Sequence, residues 1–253
     1  NLLRQRHNPR IGYYFELLVE FWLQQIYPDF CFAPHLQIKA EGKTVGEFDF
    51  LFSHATGYET SHWEVAVKFY LYYEHEDGCV LWYGPNSRDR LDLKLDKMFL
   101  HQLHLGFKPQ SQSVLRQMGF LNIVPRALLK GYLFYPASDD WQTAEIDSIG
   151  ISSQHLRGWW TRLNDFAVPV QDASSRWLYL PRLQWLSSAF IAADDAHKLM
   201  NFKTLHDFCL SRLARKQRPP LIAEMQVGDN GCWREVSRGF VLPEQWPKER
   251  LKH

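Results

Sequence analysis

Apolar and polar positions alternate along two stretches of the chain and repeat at helical spacing along a third. The first stretch runs from Gly46 to Phe52. It reads as a strand with Phe48, Phe50 and Phe52 on one face and Glu47, Asp49 and Leu51 on the other, because successive side chains point to opposite faces. The second, Trp63 to Leu71, sets Trp63, Val65, Val67 and Phe69 against Glu64, Ala66 and Lys68. The third, Ile11 to Ile26, carries Tyr14, Phe15, Leu18, Phe21, Trp22 and Ile26 at helical spacing, and Pro28 ends it. Glu16 and Glu20 lie one turn apart on that helix.

The remaining pattern fills in the order. Residues 35–40 alternate, and a turn from Glu41 to Thr44 makes a hairpin with the strand at 45–52. A polar loop covers 53–61, and a strand covers 63–73. A turn from Glu74 to Gly78 leads into a strand at 79–83, broken by Gly84, Pro85 and Asn86. Helices are predicted at 89–105 and 110–119, then a strand at 127–135. That order describes an α/β core of about 130 residues, a normal domain size. After Pro136 the character changes, with a loop at Ser138, Asp139 and Asp140. A helix is expected over 153–165 around Gly158, Trp159 and Trp160, a strand from Trp177 to Pro181, and a helix over 195–214. A final hairpin, 221–227 with 232–242, turns at Asp229, Asn230 and Gly231. The division expected is a core at 1–136 and a C-terminal α+β region at 137–253 packed on it.

Composition narrows the class. With 253 residues, 45% hydrophobic and 15% aromatic, the chain is a folded globular protein with a sizeable core. A net charge of +1 argues against a uniformly basic nucleic-acid binder and leaves room for a local basic patch. Cys31, Cys79, Cys209 and Cys232 are far apart and form no CxxC pair, so free thiols in a reducing, cytoplasmic compartment are expected. No apolar run is long enough to span a bilayer, and no membrane partner is expected.

The candidate chemistry lies on the polar faces of the two strands. Acidic residues and lysine are depleted in strands and expensive in a core unless paired or bound to a metal. A wet sheet face is the plain explanation of such alternation. The functional explanation is a site for a hard divalent cation. Magnesium, or manganese, takes oxygen ligands, and magnesium keeps several waters. Asp49 and Glu64 from neighbouring strands, with Glu16 from the first helix, supply such ligands, and Lys68 holds a water or a phosphate as a point charge. Arg88, Arg90, Lys94 and Lys97, around the start of the 89–105 helix, form either a solvated face or a positive patch facing phosphates. Arg4, Arg6, His7 and Arg10 make a basic approach to the first helix. The run from Arg212 to Arg218 either contacts phosphates or complements the helix C-terminus before Pro219 and Pro220.

These residues resemble a known group. The helix glutamate in Gly12 to Glu16, the hairpin ending at Gly46 to Leu51, the strand Trp63 to Leu71 and the break Gly84 to Asn86 resemble the PD-(D/E)XK phosphodiesterase superfamily, over roughly residues 10–135. Over the whole chain they are most similar to the bacterial domain-of-unknown-function family 1853. The resemblance implies a restriction-endonuclease-like mixed sheet flanked by helices, with a C-terminal α+β extension. It implies a magnesium-dependent nuclease, a hydrolase of phosphodiester bonds acting on DNA rather than RNA. By position, Asp49 matches the first acidic ligand, Lys68 the lysine and Glu16 the helix glutamate. The chain departs at the second acid, which the superfamily places two residues before the lysine, where Ala66 stands. Glu64 lies four before it, about 7 Å further along the strand, and Glu47 is a substitute on the face of Asp49.

Three functions follow from different classes. A metal nuclease requires Asp49, Glu64 and Lys68 to converge. A nuclease-fold protein that has lost its metal, and binds nucleic acid or protein, requires Glu64 and Lys68 to pair in a closed site. An interaction protein requires Trp159, Trp160, Trp177 and Trp185 to cluster on the surface, against the expectation that tryptophan is core.

Overall fold

A computed structural model describes residues 10–138, 140–144, 151–166 and 174–248. Arg4, Arg6, His7 and Asp139 lie outside the described residues. The chain is mixed α/β, and its strands pair both parallel and antiparallel. It divides into two compact units that interleave in sequence, unlike a single boundary at 136. One comprises 1–68 and 92–130, the other 69–91 and 131–253.

The first unit opens with helix α1, Ile11–Ile26. Strands β1 (Phe30–Ala40) and β2 (Lys43–His54) form an antiparallel hairpin, and β2 pairs antiparallel with the start of β3 (Thr60–Glu74). The hairpin turns at Glu41 (φ 50°) and Gly42 (φ 76°). Two successive left-handed residues give the turn whose twist suits flanking strands. Helix α1 packs Val19 and Leu23 against Phe50, Phe52 and Val65. On the other side, Leu105, Leu115 and Phe120 close over Ile38, Phe48 and Leu51. Fully burying each such side chain is worth about 1.5–3 kcal/mol, and this two-sided cover holds β2 in place.

The alternation of β2 is therefore broken. Phe48 joins Leu51, whereas Phe50 and Phe52 join the helix side. The break lies where β1, paired Leu36 to Phe48 and Pro34 to Phe50, carries His35 at φ 52°. Gly46 leaves room for this packing, since a Cβ there would stand 2.8 Å from the Leu105 side chain.

The helix expected over 89–105 is divided. Helix α2 spans Leu91–Asp96, a π-helical turn spans Lys97–Gln102, and a 3-10 turn spans Leu105–Phe107. The Leu103 N–H donates to the Met98 carbonyl at 2.9 Å, the five-residue step of a π turn. Helix α3, Pro109–Gln117, begins with proline at its first position, where no N–H is missed.

The second unit contains the end of β3, paired with β4 (Val80–Tyr83). It also contains the end of β5 (Ile123–Pro136), paired parallel with β6 (Leu156–Arg162). The β6 strand lies parallel to β10 (Trp233–Leu242), which pairs antiparallel with β9 (Leu221–Val227) and with the short β8 (Phe190–Ile191). Strand β7, Arg176–Leu180, pairs antiparallel with β9. Residues 156–162 are thus a strand and not the expected helix, because ladders on both sides claim the backbone and aromatic residues suit a pleated surface. Helix α4, Phe202–Ala214, is capped by Asn201, whose side chain accepts from the Thr204 N–H at 2.9 Å. Trp159, Trp160 and Trp177 are buried, which removes the surface cluster that an interaction-protein reading requires.

Candidate active site

The β2–β3 pairing sets Phe50 opposite Trp63 and Leu51 opposite His62, which brings Asp49 beside Glu64. The Val65 N–H donates to Asp49 Oδ2 at 2.7 Å. Glu64 is fully buried, and both of its oxygens are engaged. His62 Nε2 lies 2.8 Å from Oε1, and Gln102 Nε2 donates to Oε2 at 2.5 Å. Gln102 in turn accepts from Lys94 Nζ at 3.1 Å. A chain of hydrogen bonds therefore runs from the α2 lysine through the π turn to the strand carboxylate. With Glu64 an acceptor at both oxygens, the His62 proton belongs on Nε2, and the buried Nδ1 has no partner among the described residues. His62 packs edge-on to Phe48, ring centroids 4.6 Å apart, which fixes the ring.

Charge is concentrated here without balance. Burial, then the Glu64 charge, pushes the Asp49 carboxyl up to about 7; the Val65 N–H and Lys94 oppose the rise, and Glu16 adds to it. Burial likewise raises Glu16 to about 7, with Glu47 and Glu64 adding to it and Lys94 opposing it. Lys94 is held below its ordinary value by burial and by the Lys68 and Lys97 charges, against the pull of Asp49 and Glu64. Four carboxylates and three lysines thus sense one another across α1, β2, β3, α2 and the π turn. Perturbed groups of this kind gather at functional sites.

A pH dependence follows. In the unfolded chain Asp49 and Glu16 lose their protons near their ordinary values of 3.8 and 4.5, whereas the folded chain keeps them until about 7. Between those limits the native state binds more protons, so stability falls as pH rises and levels off above about 7. Melting in EDTA is expected at lower temperature at pH 8 than at pH 5. Glu16→Gln is expected to narrow that gap, and an unchanged gap would show that Glu16 contributes none of it.

The family model described as a domain of unknown function (DUF1853) matches residues 1–242. The chain belongs to this family. No curated protein and no solved structure matches it. The DUF1853 match ends at Leu242, the last residue of β10, and takes in both units together with the carboxylate site.

In this DUF1853 chain the residues expected from sequence fall as follows. Glu16, Asp49 and Glu64 are gathered. Lys68 is half-buried on β3 and close enough to Lys94 to depress it. Lys94, read from sequence as part of either a solvated face or a positive patch, donates to Gln102 and feels the pull of Asp49 and Glu64. Lys97 stands exposed at the start of the π turn, while Arg88 and Arg90 belong to the second unit. Glu47 is engaged with Gln37 Nε2 at 2.8 Å. His62 and Gln102 were missed. His62 lies two residues before Glu64 on the same strand face, which was a usable signal. Gln102 had none, because its placement depends on a π turn that no spacing rule announces.

Among the described residues no group of three or more His, Cys, Asp or Glu side chains stands ready to hold a metal ion. The donors divide unequally. Glu64 is committed to His62 and Gln102, and Asp49 has one oxygen taken by Val65. Magnesium is usually bound through one or two carboxylates plus waters and substrate phosphates, so Asp49 and Glu16 suffice as its protein ligands. Asp49 and Glu16 are the two carboxylates of the set that act on one another and are not held at both oxygens as Glu64 is. No helix among the described residues is long and apolar enough to cross a membrane.

Proposed function

We propose that this protein is a metal-dependent phosphodiesterase of the PD-(D/E)XK type, with a restriction-endonuclease-like first unit, acting on nucleic acid with DNA favoured. The observation that carries the reading is the pairing of Asp49 with Glu64 across β2 and β3, facing a lysine brought in by α2. Asp49 and Glu16 would hold magnesium or manganese, which supplies charge neutralisation at the scissile phosphate and a more acidic bound water. Glu64 acts as a fixed negative post. Its two donors orient it, and it holds Gln102 where Gln102 holds Lys94. Lys94 and Lys68 present the cations that meet a phosphate oxygen or the attacking water. The acid that position 66 lacks would be supplied by Glu16 from α1.

A second reading rests on the closure of Glu64. With both its oxygens taken inside the protein, the fold is equally suited to a nucleic-acid-binding module that has given up catalysis. Lys94→Met separates the two, since methionine keeps the length of the stem and removes the charge. On the nuclease reading, nicking of supercoiled plasmid with magnesium falls by about 10²-fold or more, while calorimetry shows magnesium binding retained. Wild-type protein that binds plasmid but neither takes up magnesium nor nicks assigns the chain to the binding module.

A further inference from the structure

A second basic feature stands in the other unit. Residues 208–223 carry Arg212, Arg215, Lys216 and Arg218 with no Asp or Glu, and residues 174–193 carry Arg176 and Arg182 with none. In a chain of net charge +1, that is a local concentration.

The fold brings the two segments together. Leu180 of β7 pairs with Leu221 of β9 in an antiparallel ladder. Two residues beyond Leu180 is Arg182, and just ahead of Leu221 stand Pro219 and Arg218, so the ladder delivers both arginines to the same end. Arg212, in the last turn of α4, lies over the Tyr179 ring at 4.8 Å, near Phe208 at 6.0 Å, and its Nε donates to the Arg218 carbonyl at 3.2 Å. Arg182 stacks 5.9 Å from the Trp185 ring. Arg182, Arg215, Lys216 and Arg218 are exposed. Burial, and after it the like charge of Arg218, depress the Arg182 value, and Asp89 opposes them. Asp89, which acts on Arg182, lies between Arg88 and Arg90 in sequence. A helix C-terminus gains from one or two cations; five cations from two segments, two of them seated on aromatic rings, exceed that need.

We propose that Arg182, Arg212, Arg215, Lys216 and Arg218 form a second nucleic-acid contact that grips the phosphodiester backbone. The proposal rests on the nucleic-acid reading of the first unit. Planar guanidinium groups bind phosphate oxygens in pairs, and arginines stacked on rings hold that geometry at low entropic cost. Backbone contacts fix position and carry no sequence information. The face serves to hold substrate, and the carboxylate site cuts it.

The test is fluorescence anisotropy with a labelled duplex in EDTA, at several salt concentrations, on the full chain. Arg215→Gln/Arg218→Gln is compared with Lys39→Gln/Lys43→Gln, which removes the same net charge from exposed positions on the β1–β2 hairpin. The expected result is about tenfold weaker binding and a salt slope smaller by about 2 for the arginine pair, with the lysine pair unchanged. Equal weakening in both variants, or none in either, overturns the proposal. So does loss of binding to anionic phospholipid vesicles with duplex binding intact. Thermal melts confirm that each variant is folded, and Arg215→Lys/Arg218→Lys, which keeps the charge, is expected to restore the slope. The two readings fail separately. Slope loss without any magnesium-dependent nicking leaves the backbone grip standing and removes the nuclease. Nicking that survives in an arginine pair with unchanged binding does the reverse.

Discussion

Asp49→Asn is expected to abolish magnesium binding and to lower plasmid nicking by at least about 10²–10³-fold, the range seen when one fixed electrostatic contact is removed from a reacting centre. Asparagine is nearly the same size and still accepts from the Val65 N–H, so β2 and β3 keep their register. What disappears is the charge. Burial and Glu64 already hold this carboxyl at about 7, so at pH 8 the folded protein carries it ionised against its neighbours. The same substitution should therefore raise the melting temperature in EDTA at pH 8, and much less at pH 5, where the wild-type group is mostly protonated. A variant that is more stable and inactive cannot owe its inactivity to misfolding; sites tuned for function commonly sacrifice stability in this way. Nicking at wild-type rate in Asp49→Asn would remove the carboxylate cluster from the mechanism altogether.

How far the sequence anticipates this site depends on which residue is asked about. Asp49 and Glu64 were legible because period-two alternation on two neighbouring strands needs only the hairpin to be right, and Glu41 and Gly42 set it. Even there the faces of β2 were misassigned, since the left-handed His35 lets Phe48 cross to the side of Leu51. Lys94 was legible as a cation and not as a neighbour of carboxylates. Its direction depends on burial beside Gln102, and a charge on a short helix reads the same whether it faces water or a site. The strand at 156–162 was taken for a helix because its aromatic run has no alternation. It is an inner strand with parallel partners on both flanks, its successive residues Gly158 to Thr161 are buried, and such strands look like buried helix segments. The interleaving of the two units was invisible to composition, because β3 and β5 are each one continuous strand that serves both.

The largest effect on stability is expected in the second unit, where Arg238→Met should cost about 3–5 kcal/mol. Arg238 is 1% exposed and satisfied on every side. Its Nε and one terminal nitrogen meet the Glu235 carboxylate at 2.5 and 2.8 Å. Its terminal nitrogens also donate to the carbonyls of Trp185 and Ser187, each at 2.8 Å, and the guanidinium lies 4.5 Å from the centre of the Tyr132 ring. Glu235 further accepts from the Ala189 N–H at 2.7 Å. The arginine thus ties the 185–189 segment to β10, and methionine would leave a buried carboxylate without its cation and two carbonyls without donors. Removing both charges tests the cause. Glu235→Leu/Arg238→Met leaves no buried charge, and replacing a whole ion pair by apolar groups is often far milder than breaking it. Denaturant melts should place the double variant closer to wild type than Arg238→Met alone. Equal losses in the single and double variants would mean that the lost carbonyl contacts, and not the stranded carboxylate, carry the penalty.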